Sequence, residues 1–199
     1  MEDSHAHHHG AWNQEQLERL MRPERDHLMP RGTVLAEVNA ALGSKVADVG
    51  AGMGWLTFPL AVAVGESGRV FAIDPSPEGV RAIRQRAQDE RLDQIEAMEA
   101  SAEHTRLPDG DVDTVVWHTM YHDVGDIRQS LRETERILKS GGRFVVVDWD
   151  KRETESGPPL QVRVSPEEAE QQIQEVGGFD VVKRWKAGPV TWGLTFEKH

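Results

Sequence analysis

Short apolar runs alternate with longer stretches of helical periodicity along most of this chain. The apolar runs predict strands over residues 46–49, 69–74, 94–98, 112–117, 143–149, 180–186 and 190–197. The stretches between them, in which apolar residues recur every three or four positions, predict helices over 55–64, 80–91, 127–138 and 165–176. At 199 residues the chain is long enough for one α/β domain, which we assign to residues 44–199, and too short for two substantial ones.

The first 43 residues have a different character. Residues 1–10 are polar and rich in histidine, so we expect a disordered tail. Residues 11–43 predict a helical extension, with helical periodicity over 13–22 and 33–42. The apolar positions expected on the inner faces of these two helices are Leu17, Leu20, Met21, Val34, Leu35, Val38 and Leu42.

Capping residues mark several of the predicted helix ends. Ser165 and Glu168 have the spacing of a capping box, and Ser76 is the expected N-cap of the helix after the second strand. The glycines in residues 139–142 predict a left-handed cap that ends the helix over 127–138.

Charge and composition narrow the classes of function. Lys and Arg total 23 against 34 Asp and Glu, a formal charge of −11, which works against nucleic acid as the substrate. The lack of cysteine excludes disulfides, a thiolate zinc site and a cysteine nucleophile. No apolar run approaches the roughly 20 residues of a membrane span, and the N-terminus has no apolar signal segment, so we expect a cytoplasmic protein without a membrane partner.

The chain is organised around a strand that runs through Gly50, Gly52 and Gly54 into a helix. Such a turn directs backbone N–H groups and the positive end of a helix toward a ligand. The spacing G-x-G-x-G differs from the dinucleotide fingerprint G-x-G-x-x-G, whose third glycine would stand at Trp55. Asp48 would repel a pyrophosphate, but it would accept hydrogen bonds from an ammonium group such as that of S-adenosylmethionine (SAM).

Asp74 ends the second predicted strand, 20 residues after Gly54. An acidic residue at this strand tip can accept both ribose hydroxyls of an adenosine. The feature is shared by SAM and NAD sites. It therefore supports a nucleoside ligand without choosing between the two.

These residues resemble the class I SAM-dependent methyltransferases, whose first motif is similar to D-x-G-x-G-x-G. Residues 107–113 and 138–144, the latter Leu-Lys-Ser-Gly-Gly-Arg-Phe, resemble two further motifs of the family. The end of the fourth strand is similar to that of the small-molecule enzymes of ubiquinone and menaquinone synthesis, and it lacks the Asn/Asp-Pro-Pro-Tyr of base-modifying enzymes. The resemblance implies a Rossmann-like, seven-stranded, mostly parallel sheet with helices on both faces and an antiparallel C-terminal hairpin.

The resemblance also implies a reaction. The sulfonium methyl group of SAM would pass to an unidentified small-molecule acceptor by in-line displacement, with S-adenosylhomocysteine (SAH) as the product. Asp48 and the glycine loop would hold the methionine portion, Asp74 the ribose, and the loop after the third strand the adenine, where Ser101 replaces the Asp of the family. The implied cofactor-binding residues are Asp48, Gly50, Ala51, Gly52, Gly54, Asp74, Pro75, Ser101, Ala102 and His118.

His118 and Tyr121 are the candidate catalytic residues, because both follow the fourth strand at the edge where ligands bind in open α/β sheets. The alternative for each is a purely structural role, in which Tyr121 is a packed ring and His118 is hydrogen-bonded to backbone. His122 is a weaker candidate. With Asp123 the two histidines form only a loose metal set, so we predict no metal site. The histidines of the tail could bind a divalent ion, but a solvated tail is the simpler reading.

Several alternatives stay open. The protein could bind SAM or SAH without catalysis, as a sensor or a partner subunit. A nicotinamide oxidoreductase is a third class, against which Asp48 and the glycine spacing speak. Residues 11–43 would either cover the active site, as in many small methyltransferases, or only cap the sheet. Residues 151–164 predict a loop without secondary structure that is either a lid or acceptor wall, or an ordinary crossover.

Overall fold

The computed structural model describes residues 21–23 and 25–199. The expectations for residues 1–20, namely the histidine-rich tail and most of the first helix with Leu17 and Leu20, lie outside the described residues. The described helices are α1 (Arg25–Leu28), α2 (Arg31–Val38), α3 (Thr57–Val64), α4 (Pro77–Glu90), α5 (Ile127–Ile137) and α6 (Pro166–Val176). The described strands are β1 (Lys45–Val49), β2 (Arg69–Asp74), β3 (Ile95–Glu99), β4 (Val112–His118), β5 (Leu138–Trp149), β6 (Phe179–Gly188) and β7 (Thr191–Lys198).

The seven strands form one sheet in the order β3-β2-β1-β4-β5-β7-β6. Strands β1 to β5 pair in parallel, and β7 runs antiparallel to both of its neighbours. The predicted sheet with its antiparallel C-terminal hairpin is confirmed. The strand order reverses between β1 and β4, and ligands in such folds bind beyond the carboxyl ends of the strands at this point. There Val49 lies in register with Trp117 of β4 and Ile73 of β2.

Helices cover both faces of the sheet because successive strand residues point to opposite sides. On one face, Val46 and Val116 pack with α2 and α3 in a cluster that includes Val34, Val38, Leu60 and Val64. On the other, Ala47 and Trp117 pack with α5 and α6 in a cluster that includes Leu131, Ile137, Ala169 and Ile173. Val80, Ile83 and Ala87 of α4 are buried, as their spacing predicts.

The N-caps of two helices are confirmed by hydrogen bonds. The Ser76 hydroxyl accepts from the Gly79 N–H at the start of α4. At the start of α6, the Ser165 hydroxyl accepts from the Glu168 N–H while the Glu168 carboxylate accepts from the Ser165 N–H, which completes the capping box.

Two predicted helix ends are wrong. Helix α2 stops at Val38 because Asn39 adopts a left-handed conformation with φ 48°, so Leu42 lies beyond the helix and is 81% exposed instead of facing inward. Helix α5 has no left-handed glycine cap: Leu138 leaves it in an extended conformation and is buried. Gly141, with φ 72°, lies in the irregular start of β5, where the pairing with β4 shifts register.

The loop over 151–164 carries one turn of 3-10 helix, Leu160–Val162, which the sequence analysis missed. A second 3-10 turn, Tyr121–Asp123, follows β4. A bilayer-spanning helix would need more length and more apolar character than any helix from residue 25 onward possesses.

Replacing Ser165 with alanine should lower the free energy of unfolding by about 1 kcal/mol, because the first turn of α6 loses the acceptor of one backbone N–H. Urea unfolding of both proteins measures the difference. Ser67→Ala, in an exposed turn, is the matched control and should cost much less. Equal losses in the two variants would contradict the role of the cap.

Candidate active site

The glycine loop closes over the ends of β1 and β2. The N–H groups of Gly50 and Ala51 donate to the Ile73 carbonyl at 2.8 and 3.1 Å. Gly50, Gly52 and Gly54 have φ values of 72°, 56° and 88°, which side chains with a Cβ rarely adopt. A Cβ on Gly50 would also lie 2.8 Å from the sulfur of Met120. The loop therefore needs glycine for both conformation and space.

Asp74 ties this loop to the start of α4. One carboxylate oxygen accepts from the Gly52 N–H at 2.7 Å, and the other accepts from the Ser76 N–H at 2.8 Å. Burial raises the pKa of Asp74 above its ordinary value, and the hydrogen bonds from Ser76 and Gly52 offset part of this rise. A carboxylate has about four acceptor positions, and the described residues occupy two of them in these hydrogen bonds.

Asp48 lies directly below the loop and is only 2% exposed. The Thr57 hydroxyl donates to its carboxylate at 2.6 Å. Burial is the main cause that raises the pKa of Asp48 to about 7; the Thr57 hydrogen bond opposes it, Asp74 adds to it, and the positive charge of Arg25 opposes it. A cation that bound at the loop would favour the ionised form of Asp48.

Arg25 of α1 reaches this same region and was missed by the sequence analysis. Its guanidinium donates to the Thr119 hydroxyl at 2.6 Å, and a nitrogen of the same group lies 3.4 Å from Nδ1 of His118. Its Cζ lies 5.2 Å from the centroid of the Trp55 ring. Burial lowers the pKa of Arg25 to about 10, and Asp48 opposes this. The segment before β1 thus touches the carboxyl ends of the central strands.

His118 is buried at the end of β4. Burial and then the charge of Arg25 hold its pKa well below the ordinary value, so the ring is neutral. Its Nε2 has no hydrogen-bond partner among the described residues. The next residue, Thr119, has φ 55°, which is strained for a β-branched side chain. A neutral ring with an unused nitrogen is suited to a ligand contact and poorly suited to accepting a proton.

Tyr121 points away from the loop. Its ring packs 5.8 Å from that of Trp117 and 6.3 Å from that of Trp192, and its hydroxyl donates to the Gln172 side chain at 2.7 Å. Burial and then the charge of Asp148 raise its pKa. This geometry describes a core residue and gives no support to the predicted catalytic role.

His122, the weaker candidate, is half of a buried pair. Its Nδ1 lies 2.8 and 3.0 Å from the two carboxylate oxygens of Asp148, at the end of β5. Its Nε2 lies 3.4 Å from a carboxylate oxygen of Asp123. Burial lowers the pKa of His122, but Asp148 and Asp123 outweigh burial and raise it overall.

The remaining predicted residues follow β2 and β3. Pro75 is exposed beside Asp74, and Ser101 and Ala102 are half-buried. The N–H of Ala100, just before them, donates to the Asp74 backbone carbonyl at 3.2 Å, which brings the loop after β3 beside Asp74. Among the described residues, no group of three or more acidic, histidine or cysteine side chains is placed to hold a metal ion.

Comparison with known proteins assigns the family. Residues 47–146, half of the chain, match the family model described as a methyltransferase domain. The chain belongs to this methyltransferase family. The predicted resemblance to SAM-dependent methyltransferases is confirmed for the family, and with it the enzyme class and its cofactor.

Solved structures and curated proteins agree with this assignment. The methyltransferase is similar to a SAM-dependent methyltransferase from Aquifex aeolicus, with a TM-score of 0.89 and 26% identity over 94% of this chain and all of that one. It is 34% identical to a ubiquinone/menaquinone biosynthesis C-methyltransferase from Hahella chejuensis, over 55% of this chain and 44% of the relative. A demethylmenaquinone methyltransferase from Geobacillus is 30% identical, over 62% and 53% of the two chains. The methyltransferase spans about half the length of these two curated relatives.

The raised pKa of Asp48 predicts how stability depends on pH. The unfolded chain loses the proton near pH 3.8 and the folded methyltransferase near pH 7, so the folded state loses stability as the pH rises through this range. Asp48→Asn removes that loss. The free energy of unfolding of the variant relative to wild type should therefore rise between these pH values, by up to about 4 kcal/mol.

Chemical denaturation of the unliganded methyltransferase at several pH values measures this difference. Asp89→Asn, on the exposed face of α4, makes the same change of carboxylate to amide away from the site and is the matched control. If the free energy of unfolding of Asp48→Asn differed from that of wild type by the same amount at all pH values, the raised pKa of Asp48 would be contradicted.

Proposed function

We propose that this protein transfers the methyl group of SAM to a small organic acceptor by in-line displacement and releases SAH. The observation that carries the proposal is the Asp74 carboxylate, which the Gly52 N–H holds at 2.7 Å beside the glycine loop at the switch point of the sheet. An acid fixed there suits the two hydroxyls of a ribose.

The residues present fit SAM better than a nucleotide phosphate. The two acids at the loop, Asp48 and Asp74, are buried, and a phosphate between them would be repelled. The methionine ammonium of SAM would instead be attracted by Asp48. When bound, SAM supplies a methyl group activated by its positive sulfur. The protein itself orients the partners and excludes water.

Each of the predicted cofactor-binding residues has a role in this proposal. Gly50, Ala51, Gly52 and Gly54 leave backbone room for the methionine portion, and Pro75 borders the ribose beside Asp74. Ser101 and Ala102 border the adenine. His118 offers its unused Nε2 to a ligand atom near the strand ends.

The acceptor is proposed to be a small molecule. The formal charge of −11 disfavours nucleic acid. Two curated relatives are named for methylation in quinone biosynthesis, so a hydroquinone is one acceptor to test. The cytoplasmic location expected from the sequence is part of the same proposal.

Ligand binding and isotope transfer test the proposal together. SAM and SAH should each raise the melting temperature, and NADH should not. Methyl-labelled SAM, incubated with the protein and a metabolite extract, should yield a labelled product. Stabilisation by NADH alone would contradict SAM binding. Stabilisation by SAM without label in any extract would favour the sensor.

Asp74→Asn should weaken SAH binding by about 10- to 100-fold, because a hydrogen bond to a charged group contributes about 1.5–3 kcal/mol. Isothermal titration calorimetry measures the affinity. Asp89→Asn is the matched control on an exposed helix face and should bind as wild type does. Wild-type affinity in Asp74→Asn would rule out the proposed ribose contact.

A further inference from the structure

The buried pair of His122 and Asp148 is held by more hydrogen bonds than a single contact in the core needs. Asp148 accepts from the ring nitrogen of His122, from the backbone N–H of His122 at 3.2 Å and from the N–H of Trp149 at 2.6 Å. The side chains of His122 and Asp148 are 5% and 2% exposed. A carboxylate that accepts from Nδ1 keeps a proton there and leaves Nε2 to exchange the second proton.

The pair lies beside the proposed methyl-donor site. His122 comes two residues after Met120, whose sulfur packs against Gly50 of the glycine loop. Asp148 follows Val147, which pairs with His118 across β4 and β5. The pair is therefore at the same edge of the sheet as the loop, on the side away from β2.

Charged groups from three different segments of the described chain act on His122. Asp148 comes from β5, Asp123 from the 3-10 turn, and Arg163 from the loop before α6; the charge of Arg163 opposes the effect of the two acids on the pKa. Tyr121, from the same turn, is close enough to Asp148 for its own pKa to be affected. The Asp123 side chain is 31% exposed, so the Nε2 side of the ring is the one nearest solvent.

Arg163 also fixes the loop that borders the pair. Its guanidinium donates to the backbone carbonyls of Pro158 and Arg152, both at 2.8 Å, and of Asp150 at 3.1 Å. Gly157, with φ 108°, packs so closely on Trp149 that a Cβ would lie 2.7 Å from the ring. The loop over 151–164 is thus held against the end of β5, where it can form one wall of an acceptor site.

We propose that His122 is the catalytic base of the methyl transfer, that Asp148 is its positioning residue, and that the acceptor carries an ionisable hydroxyl, as in a phenol, an enol or a hydroquinone. This inference rests on the proposed function. It adds the class of acceptor and the group that activates it.

The step balances with the groups named. The acceptor hydroxyl gives its proton to Nε2 of neutral His122, which becomes an imidazolium between Asp148 and Asp123. The electron pair left on the acceptor oxygen forms the bond to the methyl carbon, while the carbon–sulfur bond breaks and its pair stays on sulfur. Where a conjugated ring carbon is the nucleophile instead, the new bond forms from that carbon; its own proton is then lost to solvent, and the acceptor oxygen takes up a proton that restores the hydroxyl. The proton on Nε2 leaves to solvent past Asp123.

The first test needs no acceptor. Nitrogen-15 NMR titration of histidine-labelled protein, with His122 assigned by His122→Gln, should give a His122 pKa above the ordinary 6.5. Asp148→Asn should lower that pKa and leave SAH binding within a few-fold of wild type. The exposed pair of His199 and Asp180 provides the matched controls, His199→Gln and Asp180→Asn. A His122 pKa that Asp148→Asn does not change would overturn the pairing.

The second test compares catechol with 4-nitrocatechol, which ionises near neutral pH without a base. Anaerobic 1,4-dihydroxynaphthalene is the third probe. His122→Gln should slow transfer to catechol by about 100-fold or more, the usual contribution of a general base, and should slow transfer to 4-nitrocatechol far less. In wild type, transfer to catechol should rise with pH through the His122 pKa, and Asp148→Asn should move this rise to lower pH.

The results separate three questions: the role of His122, the class of acceptor and the proposed function. Equal losses for the two catechols would show that His122 is not the base. SAH binding without transfer to any of the three probes would overturn the hydroxylated acceptor. Failure of SAM and SAH to bind would overturn the proposed function itself. Calorimetry measures this binding independently of methyl transfer.

Discussion

The site depends on the hydrogen bonds that hold the turn after β1 to the end of β2. The Ile73 carbonyl accepts from two successive N–H groups of the turn, and the Asp74 side chain accepts from Gly52. Because Asp74 also accepts from Ser76, the same carboxylate fixes the start of α4. Two loops from neighbouring strands are thus set by one buried acid. A nucleoside and an amino-acid group would bind to the two loops in the conformation that Asp74 maintains.

Buried charge is concentrated at this edge of the sheet. The pKa of Asp48 is raised mainly by burial; the negative charge of Asp74 adds to this rise, and the positive charge of Arg25 opposes it. Buried ionisable groups are costly unless they are paired or bind a ligand. An acid whose pKa is about 7 is poised to change its charge when a cation arrives. Perturbed groups of this kind gather at functional sites.

The sequence predicted features that are local. The caps at Ser76 and Ser165 need only a few neighbouring residues, and the buried face of α4 follows from helical spacing. The two wrong helix ends are also local features, but tertiary packing influences them. Leu138, for example, leaves α5 in an extended conformation and is buried in the core. Asn39 ends α2 in a left-handed turn, which asparagine tolerates but does not require.

Contacts between distant segments were beyond prediction from sequence. Arg25 meets His118 across 93 positions, and nothing in the polar stretch around Arg25 marks it as buried. The pairing of His122 with Asp148 requires β4 and β5 to be neighbours, which the strand order supplies, and their ends to be level, which the register of His118 with Val147 supplies. Tyr121 shows the converse. Its position in the chain suggested chemistry, whereas its ring completes an aromatic cluster.

A crystal structure of the protein with SAH is the sharpest test of the proposed cofactor site. In this site we expect the amino-acid portion against Gly50 to Gly54, the ribose hydroxyls on Asp74, and the sulfur facing the ends of β4 and β5. SAH found at any other place, or crystals that never take it up at concentrations that saturate related enzymes, would contradict it.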